Sequence, residues 1–231
     1  PETNGLDSRR ARSEATRRAL MRAAEKLIAE RGIGAVSIRG IVSAAGQKNE
    51  SALQYHFKNL DGLIAAIHQS RSAEIQLRRT ELLDALQARP GPPTLREICS
   101  LMVQPAFDLA RSKPDFRRYI KAFGHEIALA EDSALAVASR GGGEGSRKLG
   151  LMLRAELGHL DTAGYRRRME AAVRLCSASM YHQAGRKSAF RGQQAELFFH
   201  SLVDALEGLL SAPVSGETRR LAAAEAKSKG R

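Results

Sequence analysis

Cysteine is scarce: Cys99 and Cys176 are the two in 231 residues, far apart and without the partner spacing of a zinc site or a disulfide framework. Both fall in apolar helical patterns, where a buried thiol is the expected state. Long apolar runs are missing too. Nothing reaches the length that crosses a bilayer, and the opening stretch PETNGLDSRRARSE has no apolar signal core, so a cytoplasmic protein with no membrane partner is expected. Strand-like alternation is nearly absent, and with it the usual scaffolds of hydrolases and dinucleotide enzymes. No Gly-x-Ser-x-Gly elbow, dinucleotide fingerprint or paired glycosidase carboxylates occur. The glycine-rich Arg140-Gly141-Gly142-Gly143-Glu144-Gly145 lacks a Gly-Lys-Ser/Thr ending and a preceding strand, which makes it a surface loop rather than a phosphate cradle. Six histidines, at 56, 68, 125, 159, 182 and 200, have no second ligand at metal-binding helical spacing. His125-Glu126 and Tyr181-His182 come nearest, and each is read as a polar group bonded within a helix interface. No catalytic residue, metal or cofactor is expected, and the chain is not read as an enzyme.

What remains is apolar, basic and helical. At 43% hydrophobic residues the chain can bury a real core as one large or two small domains. A net charge of +12 points to a polyanionic partner, and the charge is concentrated. Arg9, Arg10, Arg12, Arg17, Arg18 and Arg22 crowd the start, while Arg219, Arg220, Lys227, Lys229 and Arg231 end the chain. Residues 1–12 are expected to be a flexible basic arm, either a solubilising tail or a phosphate or minor-groove contact. Residues 212–231 are expected to be a basic, disordered tail.

Helical periodicity organises the rest. Leu20, Ala24, Leu27 and Ile28 mark a helix over 13–31 that stops at Gly32 and Gly34. Ser37 can cap a short helix carrying Ile38, Ile41 and Val42, which Gly46 ends; Asn49 can cap a second with Ala52, Leu53 and His56 on one side. Two short helices around a glycine turn form a helix-turn-helix, whose second helix fits the DNA major groove. Residues 13–59 are therefore expected to be a three-helix DNA-binding domain. Lys48, Asn49, Ser51 and Gln54 project from the start and outer face of the second helix and are the candidates for reading bases. Ser37, Arg39, Tyr55, His56 and Lys58 are the candidates for clamping phosphates, although the spacing of His56 could also turn it into the core.

At Ser37-Ile38-Arg39, Ala45-Gly46, Tyr55-His56-Phe57 and the apolar Leu63, Ile64 and Ile67, the chain resembles the TetR/AcrR family of bacterial transcriptional regulators. The resemblance is close over 13–67; beyond that it lies in helicity and length. The interval from Ala45-Gly46 to His56-Phe57 is one residue longer than the family's common form, which leaves the register of the second helix open. Leu60 stands where many members carry lysine.

Asn59 can cap a helix over 60–88 that Pro90-Gly91-Pro92-Pro93 stops. Thr94 and Glu97 form a capping-box pair for a helix to 111 that Pro105 should kink, and Pro114 suits the first turn of the next, to about 130. Further helices are expected over 146–157, from 162, and over 193–210. The helix from 162 carries a stripe of Tyr165, Met169, Val173, Cys176 and Met180. In the last helix, Phe198, Leu202, Ala205 and Leu209 form one stripe and Phe199, Val203, Leu206 and Leu210 another, so two partners are needed. The fold expected is all-α, with residues 60–211 as a larger effector-binding and dimerisation domain.

One stripe of the last helix can pack on its own domain and the other on a second copy, which gives a homodimer joined through the last two of these helices, where the family resemblance also places dimerisation. Cys176, Met180, Phe198, Phe199, Leu202, Val203, Leu206 and Leu209 are the expected contacts; a last helix buried wholly within the monomer is the alternative. The resemblance also implies a small effector among residues 94–182, for which Met102, Phe107, Phe116, Tyr119, Phe123, His125, Met152, Tyr165, Met169 and Tyr181 are candidate lining. The scarcity of charge in that set suggests an apolar or aromatic effector. The expected function is a ligand-responsive repressor that binds palindromic double-stranded DNA. The alternatives are an effector-independent, nucleoid-type protein that coats DNA with little sequence preference, and an all-helical enzyme.

Overall fold

The computed structural model of the protein describes residues 3–131, 133–139 and 141–229. Pro1 and Glu2 of the expected arm, Arg140 of the glycine-rich break, and Gly230 and Arg231 of the expected tail lie outside them. Among the described residues there is no strand. The α-helices are α1 (Thr3–Arg31), α2 (Ile38–Ala44), α3 (Ser51–Phe57), α4 (Leu60–Gln87), α5 (Leu95–Ser112), α6 (Pro114–Ala128), α7 (Ala134–Ser139), α8 (Glu144–Glu156), α9 (Thr162–Ala184), α10 (Gly192–Ser211) and α11 (Gly216–Lys229).

Side chains set most of the helix starts by accepting otherwise unpaired N–H groups. Ser37 accepts from the Gly40 amide at 3.1 Å, Asn59 from Gly62 at 2.8 Å and Asp161 from Gly164 at 2.6 Å. Thr94 and Glu97 form a complete capping box, and Pro114 sits in the first turn of α6. Helix α5 runs on through Pro105, which does not end it.

Three segments differ from the sequence reading. Helix α1 begins at Thr3 rather than at 13, so residues 3–12 extend it and the described part of the arm is helical. Helix α11 occupies most of the segment expected to be a disordered tail: Ser215 Oγ accepts from the Thr218 amide, and alanine, glutamate and lysine carry the helix onward. The short α7 follows Ser133, whose Oγ accepts from the Ala136 amide.

Two cores form. The smaller joins Leu20, Ala24 and Ile28 of α1, Ile41 and Val42 of α2, Leu53 and Phe57 of α3, and Leu63 and Ile67 of α4; Ala122 and Phe123 of α6 complete it. The larger lies among α4, α5, α6, α8, α9 and α10. Helix α6 packs against α9 on one side and α1 on another, so the three-helix head is seated on the larger domain through α6 as well as α4.

A buried ion cluster fixes that seat. Arg71 of α4 grips Glu25 of α1 with two bonds of 2.8 Å, Glu74 at 2.7 Å and Asp115 of α6 at 3.0 Å. Its guanidinium also lies over the Phe116 ring. Burial alone would lower the Arg71 pKa, but the three carboxylates outweigh it and raise it, so the cation is retained. Glu25 is 2% exposed and Arg71 7%, so neither has water to fall back on. Arg71→Met strands the Glu25 carboxylate and should cost about 3–5 kcal/mol in urea unfolding at neutral pH. Asp115, partly desolvated but held below its ordinary pKa by Arg71, stabilises the fold above the unfolded aspartate range of about 4. That share is lost as pH falls through this range to the depressed native value, and the loss should be absent in Arg71→Met.

Candidate DNA-binding head and effector cavity

The turn between α2 and α3 closes on Gly46. Its φ of +72° reverses the chain, the Gln47 amide donates to the Val42 carbonyl at 2.9 Å, and the Gly46 amide donates to Ser43 at 3.0 Å. Asn49 Oδ1 then accepts from the Ser51 amide at 3.0 Å, which starts α3 with Asn49 outside the helix and its side-chain oxygen engaged. Leu53 and Phe57 face the core. That phase leaves Ser51, Gln54 and Tyr55 outward, with Tyr55 81% exposed, and Lys48, Asn49 and Lys58 are exposed as well. Glu50, exposed at the same end, adds a negative charge to a face otherwise neutral or basic. Ser37 is committed as the cap of α2, while Arg39 two residues later is exposed. His56 is half-buried against Arg17 of α1. Burial first, and then the Arg17 charge, lower its pKa against the opposing Glu14, so at neutral pH it is an uncharged ring.

Between α3 and α4 the backbone makes an unusually tight turn. Lys58 has φ +69° and ψ −51°, and the Asn59 amide reaches back to the Phe57 carbonyl at 2.9 Å. A Cβ on Gly62 would stand 2.0 Å from that same carbonyl oxygen, so α4 can pass this close only because residue 62 has no side chain.

A cavity of about 460 Å³ lies in the larger domain. Six of the expected residues line it: Met102, Phe116, Tyr119, Phe123, Tyr165 and Met169. Four do not. Phe107 is turned away from it into the core, with its ring 4.9 Å from Phe199 and 5.7 Å from Phe190. His125 and Tyr181 pair with each other at 5.3 Å, on helix faces pointing away from the cavity. Met152 lines a separate hollow with Leu86, Pro93 and Ile98.

Two residues assigned to a dimer interface belong to the cavity instead. Cys176 and Met180 continue the α9 stripe begun by Tyr165, Met169 and Val173, and the whole stripe faces inward. Burial, with a smaller effect of Cys99, pushes the Cys176 thiol up to about 12, and burial likewise pushes Cys99 to about 12, so both stay protonated. Of the α10 residues, Phe199, Leu202, Val203 and Leu206 are already buried by their own chain, where α10 packs against α5 and α9; Phe198 and Leu209 are half-buried, and Ala205 of the same stripe as Phe198 and Leu209 is exposed. Sequence reasoning missed Arg79, Ile120, Ser146 and Ser177 in the cavity wall. Ile120 lies on α6 between the expected Tyr119 and Phe123, but an arginine on α4 carried no visible signal.

Cavity and head share parts. Phe123 and Tyr119 line the cavity and also pack against the head's core. Tyr119 Oη shares a 3.1 Å hydrogen bond with His68 Nδ1 on α4, and His68 Nε2 faces Glu126 at 3.2 Å. Among the described residues no three His, Cys, Asp or Glu side chains gather as a metal would need, and no single helix is long and apolar enough to cross a membrane.

Residues 20–67 match the family model of the bacterial regulatory proteins, tetR family. Among solved structures the chain is similar to Salmonella enterica GusR, at 20% identity and a TM-score of 0.45, covering 85% of this chain and 96% of that one. It is similar to Mycobacterium smegmatis AmtR at 19% identity and a TM-score of 0.49, covering 91% and 92%. It is also similar to RolR, solved in complex with resorcinol, at 16% identity and a TM-score of 0.43, covering 89% and 97%. No curated protein sequence matches the chain significantly.

Lys58→Gly should relieve the positive-φ strain and raise stability by about 1 kcal/mol in urea unfolding. The same variant should flatten the salt dependence of DNA binding by about one unit of slope if the ammonium meets a phosphate. An unchanged or lowered midpoint would show that the turn is not strained.

Proposed function

We propose that this chain, a tetR-family regulatory protein by its N-terminal domain, is a homodimeric repressor that binds a palindromic operator and is released by a small ligand. The observation that carries the reading is the double use of α6, whose Phe123 and Tyr119 form cavity wall on one side and head core on the other. A ligand that moves α6 moves the seat of the head, and its leverage is the difference in its affinity for the two positions. Lys48, Asn49, Ser51 and Gln54 read base edges in the major groove, Asn49 through its amide nitrogen because its oxygen caps α3. Arg39, Tyr55 and Lys58 hold phosphates; His56 contributes an N–H rather than a charge, and Ser37 acts by placing the start of α2.

The dimer uses the side of α10 that its own chain leaves uncovered. Leu197 is 60% exposed, and Ser201, Ala205 and Gly208 follow it at helical spacing; Ala178 of α9 is exposed as well. Small side chains there let a second copy approach closely, and two-fold symmetry places two heads on half-sites one helical turn apart or a small multiple of it.

Selection of bound fragments from random DNA at roughly physiological salt tests the reading: one palindrome supports it, while no motif and steeply salt-sensitive binding favour the DNA-coating alternative. That alternative draws on the exposed Arg9, Arg10, Arg12, Arg18 and Arg22 of α1. On the selected operator, Gln54→Ala should lose about tenfold in affinity and relax one base position, whereas Arg39→Ala should weaken all sequences alike. Equal losses on every sequence for both variants would reject this division of roles. Ala205→Glu should give a monomer by light scattering that no longer holds the palindrome; a persistent dimer moves the interface elsewhere.

A further inference from the structure

The cavity wall is uncharged with one exception. Among its described residues Arg79 is the single charged side chain, and it lies about two helical turns beyond Arg71 on α4. The two arginines are treated differently by the rest of the chain. Arg71 meets three carboxylates, and the neighbouring Arg78 meets Glu81 and Asp108. Arg79 has no acidic partner among the described residues. One donor, Nη1, reaches Ser146 Oγ at 2.8 Å, and Nε is buried without any partner. Burial lowers its pKa to about 10, and only a weak influence of the Cys176 thiol opposes the fall.

Other polar groups of the wall are already engaged. The Tyr165 hydroxyl donates to the Gly150 carbonyl at 3.2 Å, Tyr119 is bonded to His68, and Ser177 donates to the Gly124 carbonyl at 2.5 Å. Ser146 is held by Gln76 as well as by Arg79. A guanidinium with spare donors inside an apolar hollow is costly unless an anion completes it.

We propose that the ligand of this cavity is an amphipathic organic acid with one anionic group, which pairs with Arg79 while its apolar body lies against Met102, Phe116, Ile120, Phe123 and Met169. This rests on reading the cavity as an effector site, and it adds an anionic group to the apolar or aromatic effector that the sequence suggests. A single cation selects a monoanion. Polyphosphates lack the further positive charges they need, amines are repelled, and neutral apolar molecules leave the Arg79 donors unpaired.

The test compares two dyes on the full-length protein by fluorescence titration: 1-anilinonaphthalene-8-sulfonate and N-phenyl-1-naphthylamine, which has the same rings without the sulfonate. The sulfonate should bind one molecule per chain and about tenfold or more tighter. Arg79→Met should abolish that preference while leaving the neutral dye's affinity unchanged, and Arg79→Lys should keep part of it. Thermal melts of the variants confirm folding, and the dye comparison on the unaltered protein stands even if Arg79→Met does not fold. Equal affinities for the two dyes, or a sulfonate preference that survives in Arg79→Met, overturn the proposal. Operator titration run alongside separates the two readings. An Arg79-dependent preference without operator release leaves the acid site and removes the switch, whereas release by the neutral dye alone leaves the switch and removes the acid.

Discussion

The two-pronged grip of Arg71 on Glu25 is the contact on which the arrangement of this molecule depends. Both groups are desolvated, so each requires the other, and the pair ties the first helix of the head to the helix that leaves it. Asp115 adds the sixth helix to the same guanidinium. Three elements from distant parts of the chain are thereby locked at one point, and apolar packing around Leu20, Ile67 and Ala122 closes the joint. A head held this way cannot pivot freely on a linker. It moves with α4 and α6 or not at all, which is what a mechanical switch between a cavity and a DNA-reading surface requires.

Much of the local structure is legible in the sequence because its causes are local. Ser37, Asn59, the Thr94–Glu97 pair and Pro114 mark helix starts through bonds spanning three or four residues, and the structure makes those bonds. The α9 stripe is equally plain at helical spacing. Periodicity states that a face is apolar, however, and not what covers it. Cys176 and Met180 therefore face a cavity where a partner chain was expected, and the stripe of Phe199, Val203, Leu206 and Leu210 on α10 is buried by its own chain, while Ala205 of the other stripe stays exposed. Helices α7 and α11 escape notice because one is six residues long and the other has no apolar stripe.

Contacts between distant positions leave no such trace. Glu25 and Arg71 are 46 residues apart and Arg71 and Asp115 are 44 apart, so nothing in either neighbourhood announces their union. Arg79 is harder still, since it adjoins Arg78 in a polar stretch that reads as a solvated helix face. Only the packed structure separates an arginine that finds carboxylates from one that finds none. The head is thus readable in its helix caps and buried apolar side chains, while the cavity is readable as a location and its one charge is not.

Phe123 belongs to the head's core and to the cavity wall at once, and this constrains how such a protein can diverge. A substitution there alters the shape of the cavity and the seating of the head in the same step, so under the proposed function a change in what is sensed arrives together with a change in grip on DNA. Met102 and Met169 line the cavity without belonging to the head's core. Their flexible thioethers can be exchanged for other apolar side chains with little disturbance. Under the same proposal, the far wall is the side on which new chemical preferences can be acquired independently, and the α6 wall is the side that must be kept for the head to stay seated.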